Sequence, residues 1–168
     1  MPPPIAEKPA GTDGHHQGHS EFPWPPVLFL VAVVAGWLLQ RTWPLPWPGS
    51  NDIPARVIGW GFFVLGFGIA GWALATMLRG RAEIRPHAEA TVLITEGPFR
   101  RFRNPMYVGY ALILLGMSDT SQNIWLAILV PVFMAAITWL AILPEERHLQ
   151  AKFGDAYLAY KATSRRWI

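Results

Sequence analysis

Residues 123–143 read NIWLAILVPVFMAAITWLAIL, 21 residues without a charge. At about 1.5 Å per residue, a helix of that length covers roughly 30 Å, the hydrocarbon thickness of a bilayer. The stretch therefore predicts a transmembrane helix. Working outward, residues 57–78 form a second uncharged run of 22 residues, and shorter uncharged runs occupy 22–40 and 107–117. The run at 22–40 opens on Pro23, Pro25 and Pro26, which suit a first helical turn, and stops at Gln40 and Arg41, so it predicts a shorter or tilted span. Ser118 to Gln122 form a polar stretch between the third and fourth runs, which predicts a helical hairpin. Trp43 and Trp47 fit an aromatic belt at the end of the first span.

Composition agrees. Of 168 residues, 52% are hydrophobic and 15% charged, against about a quarter charged in an ordinary soluble domain. Cysteine is absent, which excludes disulfides, thiolate metal sites and a cysteine nucleophile. A net charge of +3 in a chain of this kind marks membrane topology, and nucleic acid is not expected as a partner. Residues 1–21 carry four prolines, three glycines and His15, His16 and His19, with too little apolar surface to fold, and predict a disordered tail. The histidines have no carboxylate beside them and no metal is expected. The tail lacks the basic start of a secretory signal, so the first apolar run is expected to stay in the mature protein. Residues 22–168 then form a single domain.

Six arginines fall within 79–104 and five basic residues within 144–168, against Arg41 and Arg56 in the first loop and none in the hairpin turn. The positive-inside rule places both basic segments, and both termini, in the cytoplasm. The expected fold is an all-α membrane bundle of about four transmembrane helices, the last two as a hairpin, with a cytoplasmic amphipathic C-terminal helix. Gly66, Gly68 and Gly71 match the dinucleotide pattern G-x-G-x-x-G, but they lie inside a span with no strand before them. Close helix packing is the better reading.

Polar chemistry meets the membrane in two places. In the first, Asn104-Pro105 suits a helix start, with Asn104 as N-cap and Pro105 at the first position. Arg103 beside that helix end makes it suited to an anionic group. In the second, Pro144 suits another helix start, followed by Glu145 and Glu146. Two readings stay open there: acidic residues favoured in a first turn by the helix dipole, or a site for an ammonium, a ribose hydroxyl or another cation. His148 reads as a surface or interface residue.

Taken together, Leu93-Ile94-Thr95-x-Gly97-Pro98-Phe99, Arg103-Asn104-Pro105-Met106-Tyr107-x-Gly109, Glu145-Glu146 and Phe153-Gly154-x-x-Tyr157-x-x-Tyr160 resemble the isoprenylcysteine carboxyl methyltransferase family, whose wider membership includes membrane phospholipid methyltransferases. The resemblance covers the C-terminal half and keeps the order and spacing of several separated motifs. It implies S-adenosylmethionine bound at the cytoplasmic face of the bundle and a lipophilic methyl acceptor arriving from the bilayer. Carried over by position, Leu93, Ile94, Phe99, Asn104, Pro105, Met106, Tyr107, Glu145 and Glu146 would line the cofactor site. Phe99 and Tyr107 would offer aromatic faces to the adenine or the sulfonium, and the glutamates would hold an amino group or ribose hydroxyls. Arg103, as the catalytic group, or Arg166, in substrate binding, is expected to orient an anionic acceptor.

Two positions depart from the family pattern. Asn104 stands where many relatives have His and cannot titrate near neutral pH, so no general base is expected there. Ala141 stands where the eukaryotic prenylcysteine enzymes carry an arginine, so their specificity is not implied. Two rivals have concrete content. A sterol-type reductase using NADPH has a similar arginine, proline and tyrosine turn, but with Asn and Glu where this chain has Met106 and Tyr110. A small non-enzymatic membrane protein would use the glutamates and arginines only as caps and topology. The expected location is a plasma or inner membrane.

Overall fold

The computed structural model describes residues 24–50, 52–82 and 93–167; the expected tail at 1–21 lies outside them. The element order is α1 (Trp24–Thr42), α2 (Ile53–Ala82), a 3-10 turn (Gly97–Arg100), α3 (Pro105–Ser121), α4 (Ile124–Ile137), a π turn (Thr138–Ile142), α5 (Leu143–Phe153) and α6 (Asp155–Thr163). Three helices are long and apolar enough to cross a membrane: α1, α2, and the continuous helix Ile124–Phe153 made by α4, the π turn and α5. The third apolar run becomes α3, whose 17 residues cover about 25 Å.

Helix α3 runs antiparallel to α2, and glycines set the approach. Gly59 and Gly66 on α2 face Gly116 and Gly109 on α3. A Cβ built on Gly66 would stand 2.7 Å from the Gly109 carbonyl oxygen, and one on Gly116 would stand 2.7 Å from the Phe63 amide nitrogen. Seven residues separate the glycines on each helix, close to two turns, so both pairs fall on one face. Gly68 and Gly71 have nothing within 4 Å. The close-packing reading therefore holds for Gly66 and not for the other two. On the other side of the bundle α1 packs on α4, where Gly36 lies against Leu126. Asn123 ties the layers together: its Nδ2 donates to the Gly36 carbonyl at 3.0 Å and its Oδ1 caps α4 through the Trp125 amide.

The hairpin turn is shorter than its polar residues suggest. Ser118 to Ser121 complete the last turn of α3, because Thr120 and Ser121 donate their hydroxyls back to the Gly116 and Met117 carbonyls and Ser118 donates to the Asn123 carbonyl. Only Gln122, in the left-handed region at φ 55°, and Asn123 connect the two helices.

Pro144 does not break the chain into a new helix. The π turn just before it lets the Leu143 amide bond to the Thr138 carbonyl, five residues back, so the helix runs through a residue that lacks a donor. The extra residue also turns α5 about its axis by about 100° relative to an uninterrupted α-helix. Thirty residues of this helix cover roughly 45 Å, so its last turns extend past the hydrocarbon edge. There it carries Glu145 and Glu146. Gly154, at φ +51°, ends α5 and opens α6, so the expected C-terminal amphipathic helix takes the form of two pieces.

Candidate active site

The site lies where the start of α1, the end of α2, the start of α3, the π turn, the first turns of α5, and α6 come together. Its frame is a latch between the segment before α3 and the residues after α6. Phe102 and Arg165 form an isolated parallel bridge: the Arg165 amide donates to the Arg101 carbonyl and the Arg103 amide to the Arg165 carbonyl, both at 2.8 Å. Asn104 is the N-cap residue of α3 by position, but its side chain makes no capping bond. Its Nδ2 instead donates to the Arg166 carbonyl at 3.0 Å.

Glu146 is the electrostatic centre of the latch. Its side chain is 10% exposed and accepts Nε and Nη2 of Arg166 at 2.9 and 2.7 Å, with Nε of Arg103 at 3.4 Å. Nη1 of Arg103 donates to the carbonyls of Lys161 and Ser164 and to the Ser164 hydroxyl. Both guanidinium groups are thus engaged inside the protein. Two-point pairing of this kind is the strong form of carboxylate recognition, and the glutamate holds the Arg166 guanidinium in its charged form.

Above Glu146 is a cavity of about 170 Å³ lined by Met77, Leu93, Ile94, Phe99, Arg103, Asn104, Ile142, Glu145, Glu146, Leu149, Tyr157 and Tyr160. It adjoins a second, of about 260 Å³, through Leu93 and Ile94. On the wall of the second, Gly97 sits at φ +57°, where a Cβ would meet the Thr76 hydroxyl at 2.8 Å. That position requires glycine. A third cavity, of about 350 Å³, is walled by Pro25, Pro26, Pro105, Met106, Tyr107 and Tyr110. It shares Met77, Phe99, Arg103, Asn104 and Glu145 with the first.

The structure thus divides the residues expected to act together. Leu93, Ile94, Phe99, Asn104, Glu145 and Glu146 line the first cavity, with Arg103 among them. Pro105, Met106 and Tyr107 line the third. Arg166 lines none of the three and sits behind Glu146. Met77, Ile142, Leu149, Tyr157 and Tyr160 complete the first cavity. The two tyrosines stand in a motif already quoted above, whereas Met77 lies unmarked in an apolar run.

Tyr160 fixes one wall by donating its hydroxyl to the Phe99 carbonyl at 2.7 Å. Burial pushes this phenol up to about 12 from its ordinary value of 10.0, partly offset by the positive charge of Arg103. A raised folded value means that the bond's stabilisation is complete below pH 10 and is lost as pH rises through 12. Wild type should therefore exceed Tyr160→Phe by about 1 kcal/mol at pH 8, and denaturant unfolding across pH 8 to 12 should show that excess disappearing. An excess that does not change with pH would contradict the assignment.

The profile of the phospholipid methyltransferase family matches residues 54–156. The chain belongs to this family. Among curated proteins, an uncharacterised protein of Haemophilus influenzae is 38% identical over 65 residues, which is 38% of this chain and the whole of that protein. No solved structure matches. Membership in this family points to a membrane methyltransferase, in keeping with the three apolar helices. The family match runs from α2 into α6 and takes in the first cavity from Met77 to Leu149; Tyr157, Tyr160 and Arg166 lie just beyond it.

Proposed function

We propose that the chain is an S-adenosylmethionine-dependent methyltransferase, with cofactor in the cavity above Glu146 and a lipophilic acceptor in the cavity beside Tyr107. The observation that carries this reading is the wall the two cavities share, formed by Met77, Phe99, Arg103, Asn104 and Glu145. A group-transfer reaction needs two compartments that meet at one place. The residues present fit the cofactor: an aromatic face on Phe99, the Glu145 carboxylate, and the buried Tyr157 hydroxyl, which has no partner among the described residues. The basic residues gathered at this end of the bundle support a cytoplasmic placement.

When bound, S-adenosylmethionine supplies a methyl group that is already activated. The protein then has to bind, orient and exclude water. Phe99 and Met77 provide the apolar faces of the shared wall. Glu145 makes no hydrogen bond or ion pair among the described residues, while Arg103 and Arg166 are both committed to Glu146. Among the described residues lining that cavity, an anionic acceptor would meet an unpaired carboxylate and no unpaired guanidinium. An amine would find Glu145 able to hold its ammonium form and to take the proton that must leave before the nitrogen lone pair can attack. This reading favours an amine-bearing lipid, and it gives Arg103 and Arg166 the role of positioning Glu146 in place of orienting an acceptor.

Calorimetric titration of the detergent-purified protein with S-adenosylmethionine should give saturable binding with Kd at or below about 100 μM, near −5 kcal/mol. A lipid bearing a primary amine should then accept methyl groups where a prenylcysteine carboxylate does not. Binding of NADPH alone would replace this reading with a reductase, and binding of neither would favour a non-enzymatic protein.

A further inference from the structure

We propose that the Tyr157 hydroxyl is a ligand-binding group, held without a partner among the described residues so that bound S-adenosylmethionine supplies one. The inference rests on the cofactor reading above and adds a residue to it. Tyr157 is 1% exposed, among the most deeply buried large side chains, and its hydroxyl has no hydrogen-bond partner among the described residues. Native proteins rarely leave such a group unsatisfied, and the exceptions concentrate where something else binds.

The neighbouring polar groups are already used. Tyr160 is bonded to Phe99, Ser164 to Tyr160, Asn104 to Arg166, and Arg103 and Arg166 to Glu146. Among these cavity-lining side chains, Tyr157 and Glu145 are the two with no hydrogen bond of their own among the described residues. The tyrosine ring is itself fixed, with its centroid 6.2 Å from that of Tyr160, so the hydroxyl is held in place with nothing to bond. Burial raises its pKa, which keeps it a neutral donor at physiological pH.

The open capacity describes the ligand. The Glu145 carboxylate, on the wall shared with the acceptor cavity, can accept a donor or a cation from either side. Tyr157 donates, so the ligand must bring an acceptor or a hydroxyl. S-adenosylmethionine carries both kinds of group.

Tyr157→Phe keeps the ring and its packing while removing the unpaired oxygen. A hydroxyl reserved for a ligand gives two opposite effects. The melting temperature of the ligand-free protein should stay the same or rise, and Kd for S-adenosylmethionine and for S-adenosylhomocysteine should rise about tenfold, or ~1.4 kcal/mol. Unchanged affinity in the variant would overturn the inference. So would a lower melting temperature of the ligand-free variant, with or without weaker binding, because the hydroxyl would then be bonded within the protein. Failure of the wild-type protein to bind either compound would overturn the cofactor reading, and this inference with it. A wild type that binds, with a variant that binds equally well, overturns the inference about Tyr157 alone.

Discussion

Glu146→Ala should unfold the latch and abolish cofactor binding together. The carboxylate is 10% exposed and neutralises two guanidinium groups, Arg103 at 11% and Arg166 at 36% exposure. Removing one partner of a buried pair leaves charge without compensation and costs about 3 to 5 kcal/mol. The partial exposure of Arg166 argues for the lower end of that range. Glu146→Gln keeps the shape and an acceptor oxygen, so it should lose less stability while still weakening the two-point bond to Arg166. The measurement is a melting curve of each variant in detergent, with hydrogen exchange to locate the loss. Protection should fall at Arg103 and Arg165, whose amides form the bridge, and persist in α2 and α3. An alanine variant that melts like wild type would show that the network contributes no stability.

The second large effect separates two glycines a short distance apart on α2. Gly66→Val places a side chain against the Gly109 carbonyl and the Ile113 amide, backbone atoms of a helix that can yield only by moving away. Overpacking commonly costs about 1 to 3 kcal/mol, and a collision with backbone belongs at or above the top of that range. Gly68→Val enters open space and should change stability by no more than about 0.5 kcal/mol. The two substitutions add the same atoms to the same helix, so propensity and hydrophobicity cancel in the comparison. Equal melting temperatures would mean that α2 and α3 are not packed through this face.

Hydropathy made the fold legible because a long uncharged run has few alternatives to a membrane span. Motif order made most of the first cavity legible, since Leu93, Ile94, Phe99, Asn104 and the glutamate pair do converge there. What the sequence could not resolve was how charges pair. Arg103 and Arg166 beside a proposed pocket look available until the fold shows Glu146 between them, and no local pattern reveals a partner 43 residues away. Asn104 likewise carries every local sign of a capping residue, yet its amide is drawn to the Arg166 carbonyl by a tertiary contact. The π turn is hidden because Pro144 alone reads as a helix start. The glycine spacing was visible in principle: Gly59 with Gly66 and Gly109 with Gly116 repeat at seven residues, a rhythm masked by the tighter G-x-G-x-x-G match beside it.

The latch also imposes an order on how the protein is made. Ser164, Arg165 and Arg166 follow, along the chain, every residue that lines the first cavity. A nascent polypeptide can insert its apolar helices and bring Glu146 to the membrane edge while the Arg166 contact and the bridge to Phe102 are still missing. The latch, and with it the proposed binding site, is therefore complete only once residues 164–166 have left the ribosome and reached the assembled helices.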